Sequence, residues 1–404
     1  MRPIAALKSL FSNALASIRA RRHGASPKRR LAADALLSDA VRLAELPSPV
    51  SGEEPRIAFI AERLKSGGLA VRIDGVGNLL ASLPAPGSRD ARCLLVHACV
   101  GTKRWHPLRS YARLDAERAS GAGLADALPS AVLLALAEAA SAGAFAVPRN
   151  LVFAFVARSP EDADSDAYGQ LVRELGHPPV AVVGLRGTAS NLLPGKPLGA
   201  VRFSVAISQN PEDKAAGGSG GRGDASAVTL AVDLAGRLEG MRWDASGATR
   251  CTVARIEAGA GFGRPPRDAV VEIELESADQ GVLDLAAGAV GATAAKIGET
   301  SAATVIVREA SRLPVHDAVL SAPLAACARA AMKEVKIHPV EASFADSAAC
   351  FSSRGIAALS IGVSDAVEGI EFDELRIDSL AAGYRLAELA LGKAMAAFDE
   401  GGRE

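Results

Sequence analysis

The sequence predicts an α/β protein: a doubly wound, largely parallel sheet interrupted by a ferredoxin-like β-α-β-β-α-β lid. Three observations carry this. Short, nearly all-apolar runs at 93–97, 150–156 and 180–183 alternate with helical patterns, as strands buried on both faces do. Residues 199–308 change rhythm and read strand, helix, strand, strand, helix, strand, the order of a compact two-helix, four-strand module. The length, 404 residues, exceeds what one core usually accommodates.

The elements follow in order. Residues 31–66 form two helices broken by the proline and glycine stretch at 47–52. Strands at 70–74 and 78–83 are joined by a turn through Gly75 and Gly77. After the strand at 93–97 come an apolar helix at 129–140 and the strands 150–156 and 180–183. The inserted module comprises strand 200–208, helix 225–238, strands 249–256 and 269–276, helix 281–297 and strand 303–307. α/β character then resumes with a helix at 318–336, a strand at 357–361 and a helix at 379–398. The expected division is therefore an N-terminal extension 1–30, an α/β domain made of 31–198 and 309–404, and a lid 199–308.

Composition narrows the function classes. The formal net charge of -1 gives no reason to expect a nucleic-acid partner. Five widely spaced cysteines without a C-x-x-C pair argue against a disulfide framework or a zinc ribbon and suit a reducing cytoplasm. No uninterrupted apolar run reaches the ~18 residues that span a bilayer. Eight Lys and Arg residues precede the first acid, Asp34, and Ile4, Leu7, Leu10, Phe11, Leu15 and Ile18 recur at helical spacing. This segment reads as a basic amphipathic helix able to touch an anionic membrane, or as a plain extension. A GxGxxG match at 218–223, a GxSxG match at 217–221 and an Arg-Gly-Asp triplet at 222–224 share one glycine-rich loop without the required preceding strand, so they signal backbone freedom.

Polar residues at the ends of buried strands are the candidates for chemistry, because ligands of open α/β sheets bind there. His97 ends one strand, Asp126 precedes the apolar helix, and Glu161 and Asp162 follow the strand at 150–156. One imidazole and three carboxylates make a metal-ligand set and also an acid–base set. Taken singly, each has a plainer reading: a hydrogen-bonded strand-end histidine, a helix cap, a solvated acidic loop.

The order of these segments resembles the M20 family of di-zinc peptidases. LPSPVSGEE at 46–54 is similar to its opening motif, and DGVGNL at 74–79 to its D-x-x-G-N segment. LLVHAC at 94–99 falls at its H-x-D, GLADA at 123–127 at its G-x-x-D-[ND], and FVARSPED at 155–162 at its E-E. The resemblance spans about residues 33–396. It implies that His97, Asp126 and Asp162 are metal ligands and that Glu161 is the general base. It also marks departures. Cys99 replaces the aspartate that orients the histidine, and Val183 and Ile370 stand where two further ligands are expected. The loop 211–221 lacks the lid histidine, and Gly263 and Glu276 replace lid residues that contact substrate.

Two functional readings follow from the resemblance. One is a non-catalytic M20-like protein with a binding or regulatory role. The other is a divergent metal-dependent hydrolase of peptide or N-acyl amide bonds, using one zinc ion on His97, Asp126 and Asp162. Zinc is thus expected as one ion or none. The expected ligand is a peptide or N-acyl amino acid-like small molecule, the location cytoplasmic, and the assembly a homodimer formed through the lid.

Overall fold

The computed structural model describes residues 27–46, 48, 52–86, 92–102, 111–157, 167–196, 198–209, 226–244, 248–259, 261–262, 266–301, 303–369 and 371–398. Residues 1–26 of the basic N-terminal segment, the glycine-rich loop with its three motif matches, Glu161, Asp162, Gly263 and Ile370 lie outside these residues, whereas residues 27–30 of the expected extension begin the first helix.

Helices α1 (Pro27–Glu45) and α2 (Glu54–Ser66) lead into strands β1 (Ala70–Ile73) and β2 (Leu79–Leu83). The turn between the strands explains the motif at 74–79. Asp74 accepts from the backbone of Val76 and Asn78, both at 2.9 Å, and Gly77 adopts φ 96°. The Asn78 side chain then accepts from the Ala157 backbone at 3.0 Å and donates to the Ala167 carbonyl at 3.0 Å. This asparagine is a buried strut that ties the hairpin to the end of a neighbouring strand.

Strand β3 (Leu94–Cys99) is followed by the short strands β4 (Arg113–Leu114) and β5 (Arg118–Gly121), helix α3 (Leu124–Ser141) and strand β6 (Leu151–Val156). Helix α4 (Ala167–Glu174), β7 (Ala181–Thr188) and β8 (Leu192–Pro194) complete the first half. The inserted module is β9 (Gly199–Ser208), α5 (Ala227–Glu239), β10 (Arg250–Ala258), β11 (Asp268–Ser277), α6 (Gln280–Ser301) and β12 (Thr304–Leu313). The chain ends with α7 (Ala318–Glu334), β13 (Val340–Ala342), α8 (Ala349–Ser352), β14 (Ala358–Ala366), β15 (Asp373–Arg376) and α9 (Leu380–Ala397).

The main sheet has the order β1-β2-β6-β3-β7-β14. Strands β6, β3, β7 and β14 are parallel, and β1 and β2 add an antiparallel edge. One face, with Val96, Phe153, Phe155, Val183 and Leu185, packs on α1, α2, α3, α7 and α9. The other, with Leu95, Val152, Val182 and Ala358, packs on Tyr168 and Leu171 of α4 and Phe351 of α8. Helices on both faces make the sheet doubly wound. The module forms a fully antiparallel sheet in the order β10-β11-β9-β12, with its own apolar core under α5 and α6. Its open edges are β10 and β12.

Several boundaries differ from the sequence reading. Helix α3 begins five residues before Pro129, which sits inside it. Proline has no N–H to give the carbonyl four residues back, that of Ala125. That carbonyl faces Gly187 of β7, where a β-carbon would collide with it. Strand β7 runs on to Thr188: Gly184 pairs with Ser360, Arg186 with Gly362 and, after a register irregularity, Thr188 with Ala366. Strand β12 runs to Leu313, opposite Ala200, and so crosses the expected boundary at 308. Two helices prove long and apolar enough to cross a membrane, α3 and α6, although no uninterrupted apolar run in the sequence is; 72% of the α3 window is buried inside the fold.

Helix α9 offers a test of how it seats on β14. At Gly383 a β-carbon would strike the Val363 carbonyl, whereas at exposed Gly392 it would meet nothing within 4 Å. Gly383→Ala is expected to cost ~1–3 kcal/mol through overpacking. Gly392→Ala is expected to add ~0.5–1 kcal/mol by restricting the unfolded chain. Urea unfolding of the two variants checks both signs.

Candidate functional site

The parallel pairing aligns Ala154, His97, Gly184 and Ser360 as one row across β6, β3, β7 and β14. A β-carbon on Gly184 would lie 2.5 Å from Ser360 Oγ and 2.8 Å from His97 Nε2, so only glycine fits between them. The His97 ring is 2% exposed and is walled by Tyr168, edge-on at 5.5 Å, and Phe351, at 5.2 Å. Neither ring nitrogen has a hydrogen-bond partner among the described residues. Burial pushes its pKa down to about 4, against the opposing pull of Asp346. His97 is therefore a neutral imidazole in an aromatic and polar enclosure.

Asp346 anchors that enclosure. Its Oδ1 accepts from Ser360 Oγ at 2.6 Å, Ala348 N at 3.1 Å and Ser347 Oγ at 3.3 Å. Tyr168 also bonds Ser347, and burial raises its phenol well above its ordinary value. His316 pairs with Ser352 at 3.3 Å, and burial lowers its pKa. At the end of β7, the Arg186 guanidinium lies over the Phe344 ring at 4.4 Å.

Asp126 lies in the first turn of α3, where the helix dipole favours an acid. It accepts a short hydrogen bond from Thr102, which follows β3. Arg56 of α2 is 1% exposed and donates to the Val100 carbonyl at 2.7 Å, two residues before Thr102. Burial lowers the Arg56 pKa to about 10, and the charges of Asp126, Cys99 and Glu53 oppose that fall. Asp126 thus shares its surroundings with a buried guanidinium. The carboxylate whose charge reaches His97 is Asp346, not Asp126.

Of the four expected site residues, His97 and Asp126 are described, while Glu161 and Asp162 are not. Cys99 ends β3, with its Sγ 3.9 Å from the Gly101 carbonyl. Val183 is not at a strand end. It lies mid-strand and faces the helices of the opposite side, because the parity of β7 puts Gly184 and Arg186 on the His97 side. Among the described residues no three His, Cys, Asp or Glu side chains are placed to hold a metal ion. The described residues therefore do not by themselves fit a zinc centre. Sequence reasoning missed Asp346, Ser360, Tyr168, Arg186 and Arg56. Arg186 carried a usable signal, a charged residue closing an apolar strand, the same signal that singled out His97.

Comparison with known proteins places the architecture. No family model and no curated protein sequence matches the chain. Solved structures do. A tripeptidase from Staphylococcus aureus shares 14% identity at a TM-score of 0.65, covering 90% of this chain and 98% of that one. Human carnosine dipeptidase 1 shares 13% identity at a TM-score of 0.69, covering 92% and 98%. The Bacillus subtilis YXEP protein, a dinuclear metal-binding peptidase of the M20 family, shares 16% identity at a TM-score of 0.55, covering 88% and 96%. The fold is that of the M20 peptidases. At such identities the likeness concerns the fold, and it extends over 88% to 92% of this chain.

Burial of neutral His97 has a pH signature. The folded pKa is lowered, so the unfolded chain takes up the proton first as pH falls. The contribution is unchanged above the unfolded value of 6.5 and is lost between 6.5 and about 4. The expected loss is ~3 kcal/mol at full protonation of the unfolded state. In EDTA, the stability difference between the natural chain and His97→Gln should shift by that amount across this window. A pH-independent difference contradicts the burial of a neutral ring.

Proposed function

We propose that this M20-like chain is a non-catalytic protein that retains the fold and cleft of the peptidases for a binding or regulatory role. One observation carries the reading: among the described residues the metal-ligand candidate His97 is enclosed by Tyr168, Phe351, Gly184 and Ser360, and no three ligand-type side chains gather around it. A catalytic zinc ion needs about three protein ligands and an open position for water. His97 is buried among aromatic rings, and Asp126 is engaged by Thr102 and neighboured by Arg56. The ligand expected of such a cleft is a peptide or an N-acyl amino acid-like molecule.

Retention of Asp126 together with Glu161 in the sequence favours a second reading, a hydrolase with a reduced one-metal site. Metal content separates the two. The full chain, stripped with EDTA and dialysed against zinc, manganese or cobalt, is expected to hold far less than one ion per chain. It is also expected to leave dipeptides, tripeptides and N-acetyl amino acids uncleaved. One ion per chain, abolished by Asp126→Ala and accompanied by hydrolysis, establishes the second reading instead.

A further inference from the structure

Arg186, half-buried with its Nε fully covered, and buried Asp346 are two oppositely charged groups that the function above does not use. Arg186 follows Gly184 on the same face of β7, one step beyond the His97–Gly184–Ser360 row. On the other face, Gly187 abuts the Ala125 carbonyl next in sequence to Asp126, so this strand end lies between the His97 row and the start of α3. The hydrogen bond of Arg186 among the described residues is a long one, Nη2 to the Leu192 carbonyl at 3.4 Å. Its Nε is buried without an acceptor. Among the described residues no carboxylate lies within ion-pair distance of it, and its flat contact is the Phe344 ring.

Asp346, two residues after Phe344, has the complementary deficit. It is 5% exposed, and its Oδ2 is buried without a donor although Oδ1 accepts three bonds. A buried charge without a compensating charge is strongly destabilising, and removing one of two compensating charges exposes that cost. Asp346 is the acid whose charge offsets the burial of the guanidinium. Phe344 holds the guanidinium plane while Ser360, Ser347 and the Ala348 backbone hold the carboxylate, so each group is positioned without touching the other.

We propose that Arg186 is the resident cation of this site, the counter-charge of Asp346, standing where a metal ion would otherwise balance the buried acid. In its second half this rests on the metal-free reading above. Arginine suits the task because its guanidinium stays charged and stacks on aromatic rings. A fixed positive charge at the strand end also repels an incoming dication. The expected aliphatic vacancy at Val183 thus becomes, three residues on, a reversal of charge.

A double-mutant cycle tests this in the full-length chain, by urea unfolding in EDTA. Arg186→Met and Asp346→Asn should each destabilise. The double variant should lose much less than the two losses combined, with a coupling of at least about tenfold in the folding equilibrium constant. A smaller coupling overturns the proposal. If Arg186→Met alone does not fold, the double variant decides: recovery of folding supports the pairing, and failure overturns it. Metal content of the same preparations keeps the two ideas apart. A stoichiometric ion in the natural chain would sink the metal-free function and leave the coupling result standing, and the reverse outcome would do the opposite.

Discussion

Everything at the candidate site depends on burying polar groups along one row that crosses four parallel strands. The register that aligns His97, Gly184 and Ser360 brings an imidazole, a hydroxyl and, through it, the Asp346 carboxylate into a space closed by Tyr168 and Phe351. The His97 nitrogens, Asp346 Oδ2 and Arg186 Nε are buried, and none has a hydrogen-bond partner among the described residues. Such groups lose several kcal/mol of hydration unless charge and hydrogen bonds return it. The site is therefore an electrostatic balance first, and its chemistry follows from how that balance is struck.

The Bacillus subtilis peptidase that shares this fold is a dinuclear metal-binding protein. Here two arginines sit near the acids that remain. Arg56 enters from α2 and binds the Val100 carbonyl, on the segment whose Thr102 holds Asp126. Arg186 enters from β7 and lies near Asp346. A unit charge ~6 Å from a dication costs ~5 kcal/mol at an effective dielectric of 20, enough to offset much of a protein's affinity for zinc. Replacing an ion by a guanidinium exchanges an open coordination position for a fixed, saturated one. Binding through the cleft survives such an exchange, whereas activation of a water molecule does not.

The sequence made the architecture legible because burial on two faces leaves a strong signature. The runs at 93–97, 150–156 and 180–183 are apolar without alternation, and each lies within or overlaps a central strand. The inserted module was legible from its element order and folds in the strand order that order requires. Boundaries were less visible where glycine and proline act through tertiary contacts. Pro129 lies within α3 because the carbonyl it leaves free turns to β7, and the glycines of β7 extend that strand by allowing close approach. The site was half legible. His97 and Asp126 stood out as polar residues at strand ends, but their partners did not. Asp346 and Ser360 come from segments more than 240 residues after His97, and only the fold brings them to it. Val183 was placed by the resemblance as if it followed a strand, whereas β7 runs five residues beyond it and its pleat turns Val183 toward the helices of the opposite face.

The central claim is that guanidinium groups, not metal ions, balance this cleft. Crystals of the full chain grown in excess zinc and measured at the zinc absorption edge address it directly. The account predicts no anomalous peak within bonding distance of His97 or Asp126. A peak ~2.0–2.2 Å from a His97 nitrogen and an Asp126 oxygen contradicts it.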